Sequence, residues 1–441
     1  MVGLNSTDER ILRSKQLKLT ALSAVPLRII SLFAGMITLA IAARQLSADA
    51  FAGWATLVSF VGLLGFADLG LGSSITSSVA ELHGLRKTEI RPIISSGLAM
   101  LASAGVLLAM VGFILLPFVG VPDALRRVGI GPGAVAAVVL VVASGIPASL
   151  ALRVLLGLQR GDLVNGFSAA GLVVGLLGVV VWKRFSDSLT VLAVVASIGP
   201  LSAGLMSSLY IFSDVRLRPS VRLVTVSESR RLFNRGKFFL LMSLSSAIAF
   251  GSDTLILSIV GNSAEVAEYS AVYRLFTFVP SLGFLALGGL WPAISSAIAS
   301  NDPGWVTREF RRVLKVNVCV TFVASLVLVV FANWILAVWL GHGFRAQRLT
   351  LLSAFAYALV NAFNVPVAYL LNGIGAERFQ GFVLLLMSIG NVMISSLLSV
   401  RFGASGPILG SALALAVASV VLVRHANRHL VTLADRRGLG D

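Results

Sequence analysis

Four ionisable side chains fall inside long apolar runs of the chain: Arg28, Asp68, Asp253 and Arg274. Ionisable groups at membrane depth are costly and usually face a bundle interior or a wet cavity. Counted along helices, Arg28 and Asp68 lie about 12 Å from the same end of adjacent antiparallel runs, and Asp253 and Arg274 about 10–12 Å from the opposite end of theirs. The expectation is one ion pair per half, Arg28–Asp68 and Asp253–Arg274. Such pairs either neutralise charge between two helices or share a hydrophilic cavity. In the cavity, arginine grips an anion through its forked donors and carboxylates exchange as partners or bind a coupling ion. Asn361, Asn364 and Asn391 add mid-run amides that bond across helices or line a polar path. Tyr269 and Tyr273 flank the start of a run, where interfacial anchoring explains them at least as well as sugar stacking.

That chemistry is binding, with no bond-breaking apparatus beside it. The sequence contains no P-loop, no HExxH and no nucleophile elbow. Its one cysteine, Cys319, lies in an apolar run, and the four histidines fall in loops or tails. No catalytic residue, metal ligand or cofactor is therefore expected. Energy must come from an ion gradient, the membrane potential or the substrate's own gradient.

Only helices that span a bilayer can position these groups. The 441 residues are 57% apolar and 12% charged, with a formal net charge of +16. Soluble domains carry about 25% charge, so a water-facing surface is excluded. The basic excess sits between apolar runs, which fits membrane orientation better than nucleic acid. The runs predict an all-α polytopic membrane protein with spans at 20–43, 53–76, 92–118, 133–156, 163–182, 190–213, 238–260, 266–295, 316–340, 349–373, 379–400 and 405–423. With the N-terminus inside, inner segments hold 25 Lys and Arg and outer loops 8. Both termini are thus expected in the cytoplasm.

The most basic inner segment, 214–237, divides the chain into six-helix bundles at 1–213 and 238–441, the second ending in a short cytoplasmic tail. From Ser227 it reads as an interfacial amphipathic helix. Leu232 and Phe233 would face lipid, and Arg230, Arg231, Arg235 and Lys237 would reach headgroups. The halves look duplicated. Leu46–Gly72 aligns with Asn262–Gly288 at an offset of 216, and Leu155–Phe167 (LLGLQRGDLVNGF) with Leu370–Phe382 (LLNGIGAERFQGF) at 215. An even number of spans per copy keeps two such repeats parallel, as in many secondary transporters.

The segments RQLSADAFAGWATLVSFVGLLGFADLGLGSS (44–74), LLGLQRGDLVN (155–165) and GSDTLILSIVGNSAEVAEYSAVYRLF (251–276) resemble blocks of the polysaccharide biosynthesis or oligosaccharide flippase family. The resemblance implies the multidrug/oligosaccharidyl-lipid/polysaccharide exporter (MOP) fold, with two bundles around a V-shaped cavity. It also implies flipping of polyprenyl-diphosphate-linked oligosaccharides across the bacterial cytoplasmic membrane for surface polysaccharide assembly. Membrane lipids would then be partners, as would a polysaccharide polymerase and glycosyltransferases; nucleic acid would not. The chain is expected to be a monomer, and Arg28 and Arg274 fit a cationic cavity. A cation-coupled multidrug antiporter of the same fold is the alternative. A membrane-embedded polymerase is disfavoured, because the longest outer loop, 119–132, is short and carries little acid.

Overall fold

The computed structural model describes residues 6–45, 68–85, 90–119, 131–185, 188–260, 263–340 and 345–438. Two compact units make up the chain, Met1–Lys237 and Phe238–Asp441. In the first, α1 (Ser6–Gln45), α2 (Leu71–Gly84), α3 (Arg91–Val119), α4 (Pro132–Ala148), α5 (Leu150–Gly157), α6 (Gly161–Phe185) and α7 (Leu189–Ile211) follow one another. A 3-10 turn at Val221–Leu223 leads to α8 (Val226–Val260), which runs into the second unit. There α9 (Ser263–Ala286), α10 (Leu290–Ala299), α11 (Pro303–Leu340), α12 (Arg348–Gly373), α13 (Glu377–Phe402) and α14 (Ser405–Gly438) complete it. Among the described residues, seven helical stretches are long and apolar enough to cross a membrane. Most of the expected span 53–76 lies outside the described residues.

The burial pattern is that of a protein solvated by lipid. Leu209, Val330, Leu386, Leu397 and Val400 are 70–80% exposed, whereas Ser74, Ser77, Ser245, Ser388 and Ser411 are fully buried. Lipid rewards no apolar burial, so small residues and hydroxyls gather where helices touch. A Cβ on Gly171 would collide with the Gly199 carbonyl, so α6 and α7 cross backbone to backbone.

The repeat seen in sequence has a conformational counterpart. Helix α5 ends with Gln159 at φ +62° and a bond from Arg160 N–H to the Leu155 carbonyl of 2.9 Å. Just past the end of α12, Gly375 takes φ +81° and Ala376 N–H reaches the Leu371 carbonyl at 2.9 Å. Both are Schellman-type stops, in which a left-handed residue turns the chain and satisfies orphan carbonyls. Each stop leads into a helix with an acid in its first turn, Asp162 in α6 and Glu377 in α13.

The basic segment departs from its expected role. Leu232 is 1% exposed and belongs to the core of the first unit, with Leu71, Ile75, Ile94, Leu150 and Val154. Its carbonyl accepts a bond from Ser74 Oγ at 2.8 Å. Arg231 and Arg235 reach the Glu81 carboxylate at 3.0 and 2.7 Å. Phe233, Arg230 and Lys237, all exposed, keep the predicted outward position. The reason for the departure is that Glu81 on α2 supplies a nearer counter-charge than lipid and leaves an apolar slot for Leu232. Ahead of this helix, the Arg216 backbone N–H, then its guanidinium, holds the exposed Asp214 carboxyl below its ordinary range. Glu81→Ala removes the acceptor shared by two arginines and is expected to cost about 1–2 kcal/mol. A melting temperature in detergent lowered by a few degrees is the readout, and no change would mean the contact contributes nothing.

Candidate functional site

In the second unit a polar cluster is assembled from five helices. Asp253 on α8 is fully buried. Its Oδ2 accepts bonds from Ser411 Oγ on α14 at 2.9 Å and from Tyr269 OH on α9 at 3.2 Å. Asn391 and Ser395, one turn apart on α13, stand against the same carboxylate. Asn391 donates to the Ala249 carbonyl at 2.6 Å, and Ser395 Oγ lies 3.3 Å from the Pro407 carbonyl. One turn along from Tyr269, Tyr273 stacks on it with centroids 5.4 Å apart, and its hydroxyl lies 3.5 Å from that of Tyr357 on α12.

Asp253 Oδ1 has no hydrogen-bond partner among the described residues. Glu268, on the same helix as the tyrosines, makes the contrast. It is also buried, yet its Oε1 accepts from Gln347 N–H at 2.8 Å and Thr350 Oγ1 at 2.6 Å, which ties down the start of α12. Glu268 is built as a structural cap. Asp253 is left with an open lone pair in dry surroundings, where a bare carboxylate is costly and a proton or small cation relieves it. Its neighbours supply hydroxyl, amide and carbonyl oxygens, the donor set of hard cations rather than transition metals. Among the described residues, no group of three His, Cys, Asp or Glu could hold a metal ion.

The expected Asp253–Arg274 ion pair does not form. Arg274 is exposed on its unit, while Asp253 points inward to Tyr269 and Ser411. Equal depth sets height along two helices but not the direction each residue faces. Tyr269 is 2% exposed and bonded to the carboxylate, so it is no interfacial anchor. Asn364 ties α12 to Ser419 on α14 at 2.8 Å, a helix-joining role, and Asn361 is half-buried.

The first unit contains a cavity of about 480 Å³ bordered by α1, α4, α5, α6 and α7. Among the described residues, its charged lining residues are Asp68 and Arg153, with a nitrogen-to-oxygen distance of 3.5 Å. Arg28, the expected partner of Asp68, lies on α1, but its side chain is outside the described residues. Arg153 falls at the inner end of the expected span 133–156 and is not among the four buried charges singled out in the sequence. The apolar run around it, LALRVLLG, is the signal that it lies within a helix, α5. Ser411 and Tyr357 were passed over because single hydroxyls in apolar runs carry no charge signature.

Comparisons with known proteins agree with this architecture. Residues 21–298 match the family model described as "Polysaccharide biosynthesis protein". A MOP superfamily transporter from Pyrococcus furiosus, described as having a binding pocket of reverse polarity, superposes with a TM-score of 0.81 at 12% identity, over 96% of this chain and 97% of that one. A multidrug resistance MATE family transporter in an outward-facing conformation gives 0.78 at 14% identity, over 97% and 96%. No curated protein matches the chain by sequence. Both of these solved structures are described as transporters. With more than half its length matched by that model and an all-helical membrane fold that those transporters share, this chain belongs to the polysaccharide biosynthesis protein family.

Proposed function

We propose that the protein flips a polyprenyl-diphosphate-linked oligosaccharide across the bacterial cytoplasmic membrane by alternating access, for surface polysaccharide assembly. The family match over residues 21–298 carries this reading. Twelve spans with both termini in the cytoplasm fit the 25-to-8 division of basic residues. In this scheme, Asp253 takes a coupling proton or cation and the arginines take the diphosphate. A polymerase and glycosyltransferases would act on the same lipid-linked substrate. Depleting the protein should reduce surface polysaccharide and cause lipid-linked precursor to accumulate inside. Normal glycan with no accumulated precursor would refute the assignment. Arg274→Ala and Arg28→Ala, restored to depleted cells, should each lower glycan export about tenfold, as expected for losing one forked anion contact worth ~1.4 kcal/mol. Wild-type export from both would remove the arginines from the path.

One observation keeps a second reading in view. Asp253 has no cationic neighbour among its contacts, so nothing there precludes exchange of a cation for a cationic drug. Sodium- or pH-dependent dye efflux by the purified protein in vesicles would favour the antiporter.

A further inference from the structure

The cavity in the first unit is bordered by two kinds of surface. Leu27, Val142, Ile146 and Leu172 form apolar walls, while Ser31 and Ser149 add hydroxyls near Arg153 and Asp68. The backbone of Arg153 is fixed, because its carbonyl accepts a bond from Thr76 Oγ1 at 3.2 Å. Its guanidinium is only partly covered, with 38% of the side chain exposed.

Asp68 is held independently of that arginine. Its Oδ1 accepts the Gly70 N–H at 2.9 Å, closing an Asx turn. Leu69 at φ +53° and Gly70 at φ +73° are both left-handed there, a conformation costly for leucine and retained only where the surroundings enforce it. The other oxygen, Oδ2, meets Arg153 Nη2 at 3.5 Å, a single long contact rather than a forked pair. Gly72 leaves the space for this arrangement. A Cβ there would lie 2.5 Å from Arg153 Nε and 2.8 Å from Asp68 Oδ2. A half-exposed guanidinium is thus loosely countered by a carboxylate that its own turn holds in place.

We propose that Arg153 is an anion-binding residue, that Asp68 is its resting counter-charge, and that the diphosphate of a lipid whose hydrocarbon lies along the apolar walls replaces Asp68. Diphosphate offers the forked acceptors that Asp68 does not, and the hydroxyls supply further donors. This inference rests on the lipid-linked reading for its ligand class and goes beyond it in assigning the residue and the exchange.

The test is binding by the full-length purified protein in detergent, using geranyl diphosphate, inorganic pyrophosphate and geraniol as probes. Geranyl diphosphate should bind, and geraniol should not. Arg153→Gln should weaken binding about tenfold or more, and Arg153→Lys, which keeps charge without the fork, by less. Asp68→Asn should tighten binding several-fold, because the internal competitor is gone. A purely structural ion pair would not move the two halves in opposite directions. If Arg153→Gln does not fold, the sign of the Asp68→Asn change decides. Weaker or unchanged binding in that variant overturns the exchange. Inorganic pyrophosphate bound as tightly as geranyl diphosphate would overturn the lipid source and leave free diphosphate as the ligand. Because no transport is measured, persistence of this binding in a protein whose depletion leaves surface glycan normal would refute the flippase and spare the site.

Discussion

Asp253→Asn is expected to abolish ion-driven transport while the fold keeps its stability. Asparagine retains an acceptor for Ser411 and Tyr269 and removes only the ionisable group. A structural acid would behave otherwise, since losing one partner of a satisfied buried network is strongly destabilising. Ion-dependent stability offers a second readout. At about 100 times its Kd, a coupling ion adds ~2.7 kcal/mol to the wild type by mass action, and the variant should gain nothing. Melting curves recorded with and without sodium, and across pH, give this difference directly. Undiminished transport by the variant, or a fall in its melting temperature in step with lost activity, would return Asp253 to a packing role. Glu268→Gln is the internal control. It disturbs the cap of α12 and should lower stability without removing the ion response.

The second large effect is expected at the two Schellman stops. A Cβ on Gly157 would lie 2.8 Å from Val79 Cβ and 2.9 Å from the Thr76 carbonyl. A Cβ on Gly373 would lie 2.6 Å from Ile294 Cβ. Each obstacle is β-branched or backbone and cannot swing aside. Gly157→Val and Gly373→Val should therefore each cost about 1–3 kcal/mol or more by overpacking. Gly166→Val is the comparison, since nothing lies within 4 Å of its Cβ direction. Comparable melting temperatures for all three would contradict the close approach of α2 to α5 and of α10 to α12.

What the sequence disclosed differs by element. Helices in apolar runs were legible because lipid leaves the backbone no other partner. The segments Leu155–Phe167 and Leu370–Phe382 were legible as a repeat, but the left-handed stops within them, at Gln159 and Gly375, were not, because a glutamine carries no signal of a positive φ. Asp253 was found as a buried charge, but its partners were not. Hydropathy gives depth, whereas pairing also depends on the angle around each helix, and that angle is fixed by packing among α8, α9, α13 and α14. Leu232 was misread for a related reason. A leucine among arginines suits an interface equally well until a carboxylate such as Glu81 draws the arginines onto protein.

The uninterrupted course of α8 bears on how such a chain arises and how it can be engineered. A gene formed by doubling a six-helix ancestor would be expected to have a spare joint between the copies. Here one helix carries Leu232 in the core of the first unit and Asp253 in the buried polar cluster of the second. Fragments cut ahead of the helix leave the first copy missing a core residue, and a cut after Lys237 severs the helix itself. No cut within that helix leaves both units with their full complement of residues.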